Sequence, residues 1–183
     1  MTLLATKRPA GGFCLALAMA ALAISSATLA DAPKAAAPVA AQGGTTLKVS
    51  GSDGKAMMFD AAALAKLPQQ AIHAEAHGKA VNCTGPRLID VLGTVGVASG
   101  EALRGKNLAI YVRASAADGY QAVFSLAELD PGMSGDGTPI VTANCDGHPL
   151  DAKEGPLRII APRDKRPARW VRELTALDVL RAP

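Results

Sequence analysis

Aromatic residues are scarce in this chain: one Trp, two Tyr and three Phe in 183 residues. A carbohydrate platform of stacked rings therefore has too little material. No Gly-x-Ser-x-Gly elbow, His-Glu-x-x-His, Cys-x-x-Cys pair or phosphate loop with its lysine occurs, so serine-hydrolase and zinc chemistry have no local support. Nor is there a long hydrophobic run. The longest uncharged apolar stretch, residues 13–24, is about a dozen residues, short of the roughly 20 that a spanning helix needs.

That stretch has a different meaning. Lys7 and Arg8 precede it and Thr28-Leu29-Ala30 follow it, the order of a charged start, an apolar middle and a cleavable end. We read residues 1–30 as a secretory signal cut near Ala30, which implies a periplasmic or secreted protein with no membrane span after cleavage. Residues 31–44 are mostly Ala, Pro and Gly with one Lys and read as a flexible leader. Residues 45–183 remain for a single domain, enough for one core and not for two.

The net charge of +3 shrinks once Lys7 and Arg8 leave, since 17 basic residues against 16 acidic ones give +1. A nucleic-acid partner is not indicated by that balance. Charge is instead segregated along the chain. Residues 118–154 hold seven acids and one base, and residues 158–172 hold six bases and one acid. Two solvated faces that attract each other account for this pattern. So does a basic group that receives an anion such as phosphate, whose oxygens match guanidinium forks.

Local patterns predict a β-rich α+β domain with three or four short helices in the connections between strands. Residues 45–50 alternate, and residues 55–59 follow the Ser52-Asp53-Gly54 turn, giving an opening hairpin. Asp60 should cap a short helix that Pro68 closes. A second strand pair is expected at 70–76 and 79–83 around His77-Gly78, then a helix of about ten residues from Pro86, where Leu88, Val91, Leu92 and Val95 share a face. Strands follow at 107–114 and 120–124, and Ser125 with Glu128 makes a capping box. Residues 132–137 read as a loop, and the remaining strands fall at 139–145, 157–161 and 170–179.

Cys14 leaves with the signal, so the mature chain keeps Cys83 and Cys145. They form one bridge, stay two separate thiols, or offer a metal-ligating or reactive cysteine; sequence leaves all three open. His73 and His77 are four apart, a metal spacing on a helix. On a strand they would stand about 13 Å apart and are better read as surface or hydrogen-bonded histidines. Trp170, the lone tryptophan, is read as core packing.

Four blocks carry a family resemblance: Gly85-Pro86-Arg87-Leu88-Ile89-Asp90-Val91-Leu92, then Asp118-Gly119-Tyr120-Gln121-Ala122-Val123-Phe124-Ser125-Leu126-Ala127-Glu128-Leu129, then Gly155-Pro156-Leu157-Arg158-Ile159-Ile160-Ala161-Pro162, then Arg169-Trp170-Val171-Arg172. In order and spacing they resemble the molybdopterin-binding domain of the sulfite-oxidase type. The resemblance implies that family's mixed α+β, β-rich fold and a molybdenum-molybdopterin cofactor. It makes Cys83 the nearest candidate for the metal ligand, and sets Asp118, Tyr120, Arg158, Arg163, Lys165, Arg166 and Arg169 around the cofactor. A separate redox protein would carry electrons, since no haem-attachment pattern is present.

Two readings of function follow. One is an exported molybdenum-dependent oxidoreductase. The other is a cofactor-free periplasmic module on the same fold that holds an anionic small molecule or a protein partner. The second is motivated by the position of Cys83, two residues before Gly85, whereas the family's ligand stands further upstream. It is also motivated by the signal, which offers Lys7-Arg8 and then Pro9 in place of a twin-arginine pattern for folded export. A structural protein bridged between Cys83 and Cys145 is a third possibility.

Overall fold

The computed structural model describes residues 46–183. The expected signal and leader lie outside the described residues.

Among the described residues, three sheets are built from eleven strands. β1 (Leu47–Ser50) and β2 (Ala56–Phe59) form the opening hairpin. β1 also runs parallel to the last strand, β11 (Leu174–Arg181), which pairs antiparallel with β5 (Ile110–Ala116); β6 (Gln121–Ser125) completes a five-stranded sheet in the order β2-β1-β11-β5-β6. Along β5 buried and half-buried positions alternate, and β6 alternates buried with exposed, so one face of the sheet is turned to the core. Val49, Val112, Phe124 and Leu177 are completely buried there, each contributing about 2 kcal/mol of transfer free energy.

A four-stranded sheet follows the order β3 (Gln69–Ala76), β4 (Lys79–Pro86), β8 (Asn144–Cys145), β9 (His148–Pro149). Its hairpins turn at His77-Gly78 and Asp146-Gly147, where all four residues have positive φ. Two-residue turns of that kind match the right-handed twist of the flanking strands. The third sheet pairs β7 (Ile140–Thr142) with β10 (Arg158–Ile160).

The segment expected as one strand at 139–145 is thus divided between two sheets. Thr142 is the junction. Its buried hydroxyl lies 2.7 Å from the carbonyl of Thr84 and 2.7 Å from that of Asn144, tying β4, β7 and β8 together. Gly85 permits the approach, because a Cβ there would stand 1.9 Å from the carbonyl oxygen of Val141.

Helices are short, as expected. α1 (Ala61–Ala65) is capped by Asp60, whose Oδ1 accepts from the amide of Ala63 at 2.7 Å. α2 spans Leu88–Gly93, six residues where about ten were expected. Pro86 ends β4 instead of opening the helix, since the chain stays extended to meet β7. α3 (Leu126–Leu129) has both halves of the Ser125–Glu128 capping box. Residues 132–137 are not wholly a loop: α4 (Pro131–Ser134) takes in the first three of them, with the Asp130 carboxylate accepting from the amide of Gly132. The expected strand at 107–114 begins later, after a 3-10 turn at Gly105–Ala109. The last strand likewise starts at Leu174, because Pro167–Arg169 forms another 3-10 turn.

No helix among the described residues is long and apolar enough to cross a membrane.

Candidate functional site: a basic groove between hairpin tips

Three pieces of chain surround an open groove of about 1050 Å³. The β3–β4 hairpin tip supplies Glu75, His77 and Lys79, and the β5–β6 turn supplies Asp118 and Tyr120. The stretch from 154 to 172 supplies Glu154, Arg158, residues 165–168, Trp170 and Arg172. Hairpin tips converge there because β3–β4 and β5–β6 both end in tight turns. Asp118 makes one of them by accepting from the amide of Tyr120 at 2.9 Å, with Gly119 at φ +86°.

Arg158 and Trp170 are the large buried side chains of the lining. Arg158 is 9% exposed, its Nη1 is 2.5 Å from Glu154 Oε2, and its guanidinium carbon lies 5.4 Å from the Trp170 ring centroid. Its buried Nε has no hydrogen-bond partner among the described residues. The indole Nε1 of Trp170 donates to the carbonyl of Ala161 at 2.8 Å, so the ring is both core and groove wall.

The rim is different. Lys79, Lys165, Arg166 and Arg172 are exposed, and none has an ion-pair partner among the described residues. Four unpaired cations on one opening, against the carboxylates of Glu75 and Asp118, give the groove a positive bias toward anions.

Of the residues expected around a ligand, Asp118, Tyr120, Arg158, Lys165 and Arg166 come together on this groove. Arg163 and Arg169 do not. They border a neighbouring cavity of about 250 Å³ with Glu128, Asp164 and Ser134. There Arg163 donates to the carbonyl of Ser134, and Arg169 is engaged by Asp164 and Glu128. Hydrogen bonds that Arg169 donates to Asp164, reinforced by Glu128, raise the proton affinity of the Arg169 guanidinium well above its ordinary value despite the opposing effect of burial. Sequence reasoning missed Lys79 and His77 as groove residues, since the turn that brings them there is far away in sequence.

Cys83 and Cys145 are joined as a disulfide. Cys83 is 1% exposed. Bonded in this way, Cys83 has no thiolate to offer a metal. His73 Nδ1–H donates to Asn82 Oδ1 at 2.8 Å, as a surface histidine does. Among the described residues no group of three or more His, Cys, Asp or Glu is placed to hold a metal. The residues present therefore do not fit a molybdenum ion held by a cysteine thiolate.

No protein-family model matches the chain, and no curated protein matches it. Among solved structures the fold is similar to that of the sulfane dehydrogenase SoxCD from Paracoccus pantotrophus, with a TM-score of 0.58 and 16% identity over 73% of this chain. This chain covers 37% of the length of that one. Likeness at such identity is a likeness of fold.

Proposed function

We propose that this chain is an exported, periplasmic or secreted binding module on a sulfite-oxidase-type fold, working without the family's metal, and that its groove holds an anionic small molecule. The observation that carries this reading is the set of four unpaired cations, Lys79, Lys165, Arg166 and Arg172, around one groove. An exposed cation pays little to remain in water, so its clustering on a concave surface is informative where a scattered one is not. Arg158 adds a buried guanidinium beside Trp170, a position where an anion's oxygens would find a fork already oriented by Glu154.

A second reading, a molybdopterin-dependent oxidoreductase with a separate redox partner, is favoured by the fold likeness to a dehydrogenase. It requires Cys83 to be freed from Cys145 before it can serve as a ligand.

Two measurements separate them. Titration of the purified protein with inorganic pyrophosphate, followed by Trp170 emission, should saturate and should weaken in Arg166→Ala. Elemental analysis with pterin fluorescence on protein isolated from its native envelope should find no stoichiometric molybdenum. About one equivalent of metal with pterin would overturn the cofactor-free reading.

A further inference from the structure

Arg169 closes the chain on itself. Its Nε lies 2.9 Å from Asp164 Oδ2 and its Nη2 lies 2.7 Å from Asp164 Oδ1, a two-pronged pair across five residues. The same guanidinium donates from Nη1 to Glu128 Oε2 at 2.9 Å and to the carbonyl of Val123 at 3.3 Å. It also lies 4.8 Å from the Phe124 ring centroid. The ring of chain from 164 to 169 is therefore riveted to the end of β6 and the start of α3. A second rivet comes from the groove side, where the Tyr120 hydroxyl donates to the carbonyl of Ala168 at 2.6 Å.

What this ring presents is specific. All four intervening residues, Lys165, Arg166, Pro167 and Ala168, line the groove, while the two residues that close the ring do not. Arg166 is extended (φ −129°, ψ 136°), the conformation that a following proline favours. An arm bearing two cations is thus held in a defined shape by a pair that stays out of the groove. Ordering such an arm only when the ligand arrives would cost affinity, because each long side chain and each loop residue loses conformational freedom.

We propose that Arg169 is a positioning residue: with Asp164 it holds Lys165 and Arg166 over the groove and sets the groove's anion affinity without touching the anion. The inference rests on the anion-binding reading of the groove. It makes Asp164 informative, because the one acid in a basic loop opposes anion binding through its charge and favours it through geometry. The two effects have opposite signs, and only geometry predicts that neutralising Asp164 weakens binding.

The test is an NMR titration of the 15N-labelled full chain with inorganic pyrophosphate. Lys165→Ala/Arg166→Ala should weaken binding at least about tenfold, the loss of two charge-assisted contacts. Asp164→Asn and Arg169→Gln should each weaken it by about fivefold, and their double variant should be no weaker than either single, as partners in one interaction are. The Arg169 Nε–H resonance should not move as pyrophosphate saturates, which a structural defect or a direct contact would not leave unchanged.

Failure of the groove reading has its own signature. A wild-type protein that does not bind pyrophosphate, or a Lys165→Ala/Arg166→Ala variant that binds as well as wild type, overturns that reading and this inference with it. If wild type binds and the two-cation variant does not, the inference alone is overturned by tighter binding in Asp164→Asn, by additive losses, or by a shifting Arg169 resonance. Should Arg169→Gln fail to fold, Asp164→Asn still decides the matter, because Arg169 keeps its Glu128 anchor there.

Discussion

Cys83 on β4 faces Cys145 on β8 as a directly paired residue across the two strands, and the disulfide between them closes a loop with a sequence separation of 62. A loop of that size implies about 4 kcal/mol of stabilisation in the chain-entropy treatment. Free-thiol titration of the unfolded, unreduced mature protein should find no reactive thiol. Urea unfolding with and without a reductant should show a loss of about that size.

Gly85→Ala should be among the most damaging single changes. The added Cβ would stand 1.9 Å from the Val141 carbonyl oxygen and 3.1 Å from the Thr142 Cα, both backbone atoms that cannot swing aside. Separating β4 from β7 to make room should cost about 3 kcal/mol, measured as a lower urea midpoint, with loss of the Thr142 hydroxyl's contacts to Thr84 and Asn144.

Glu128 serves two partners: Oε1 accepts from the amide of Ser125 at 2.6 Å and Oε2 from Arg169 at 2.9 Å. Glu128→Ala removes both, whereas Ser125→Ala removes only the reciprocal cap, in which Ser125 Oγ accepts from the Glu128 amide. Ser125→Ala should cost about 1 kcal/mol. Glu128→Ala should cost more, and only it should loosen the 164–169 ring, seen as faster amide exchange at residues 165–168.

Glu154→Gln should destabilise by about 1 kcal/mol, because it leaves the Arg158 guanidinium without its carboxylate while the half-exposed side chain of residue 154 keeps water at hand. Trp170 emission should change in the same variant, since Arg158 lies over that ring. An unchanged spectrum would detach Trp170 from the groove.

The Arg169 latch should not titrate in the neutral range. Its proton affinity is raised by the hydrogen bonds it donates to Asp164, so its contribution to stability is complete below the ordinary guanidinium range and is lost only as pH rises through the still higher folded value. The stability difference between wild type and Arg169→Gln should therefore be equal at about pH 6 and about pH 9. A difference that shrinks toward pH 9 would show that another group governs the latch.

Much of the fold was legible because its signals act over a few residues. Asp60 and the Ser125–Glu128 box start helices where a side-chain acceptor meets free amides. His77-Gly78 and Asp146-Gly147 turn hairpins because positive φ is tolerated there. Strand alternation in β5 and β6 follows from one buried face. Where a local pattern met a tertiary demand, the tertiary demand prevailed. Pro86 could have opened a helix, yet it ends a strand that must reach β7, and residues 139–145 read as one strand although Thr142 divides them between two sheets.

By itself the sequence determined the β-rich α+β character, the turns and caps, and the presence of a strongly basic stretch after an acidic one. Only the tertiary structure decided that Cys83 meets Cys145, that Lys79 joins Lys165, Arg166 and Arg172 on one groove, and that Arg163 and Arg169 face away from it. The physical reason is range. A cap or a turn is settled by atoms a few residues apart. The fate of a cation depends on which carboxylate, carbonyl or open groove the folded chain brings beside it.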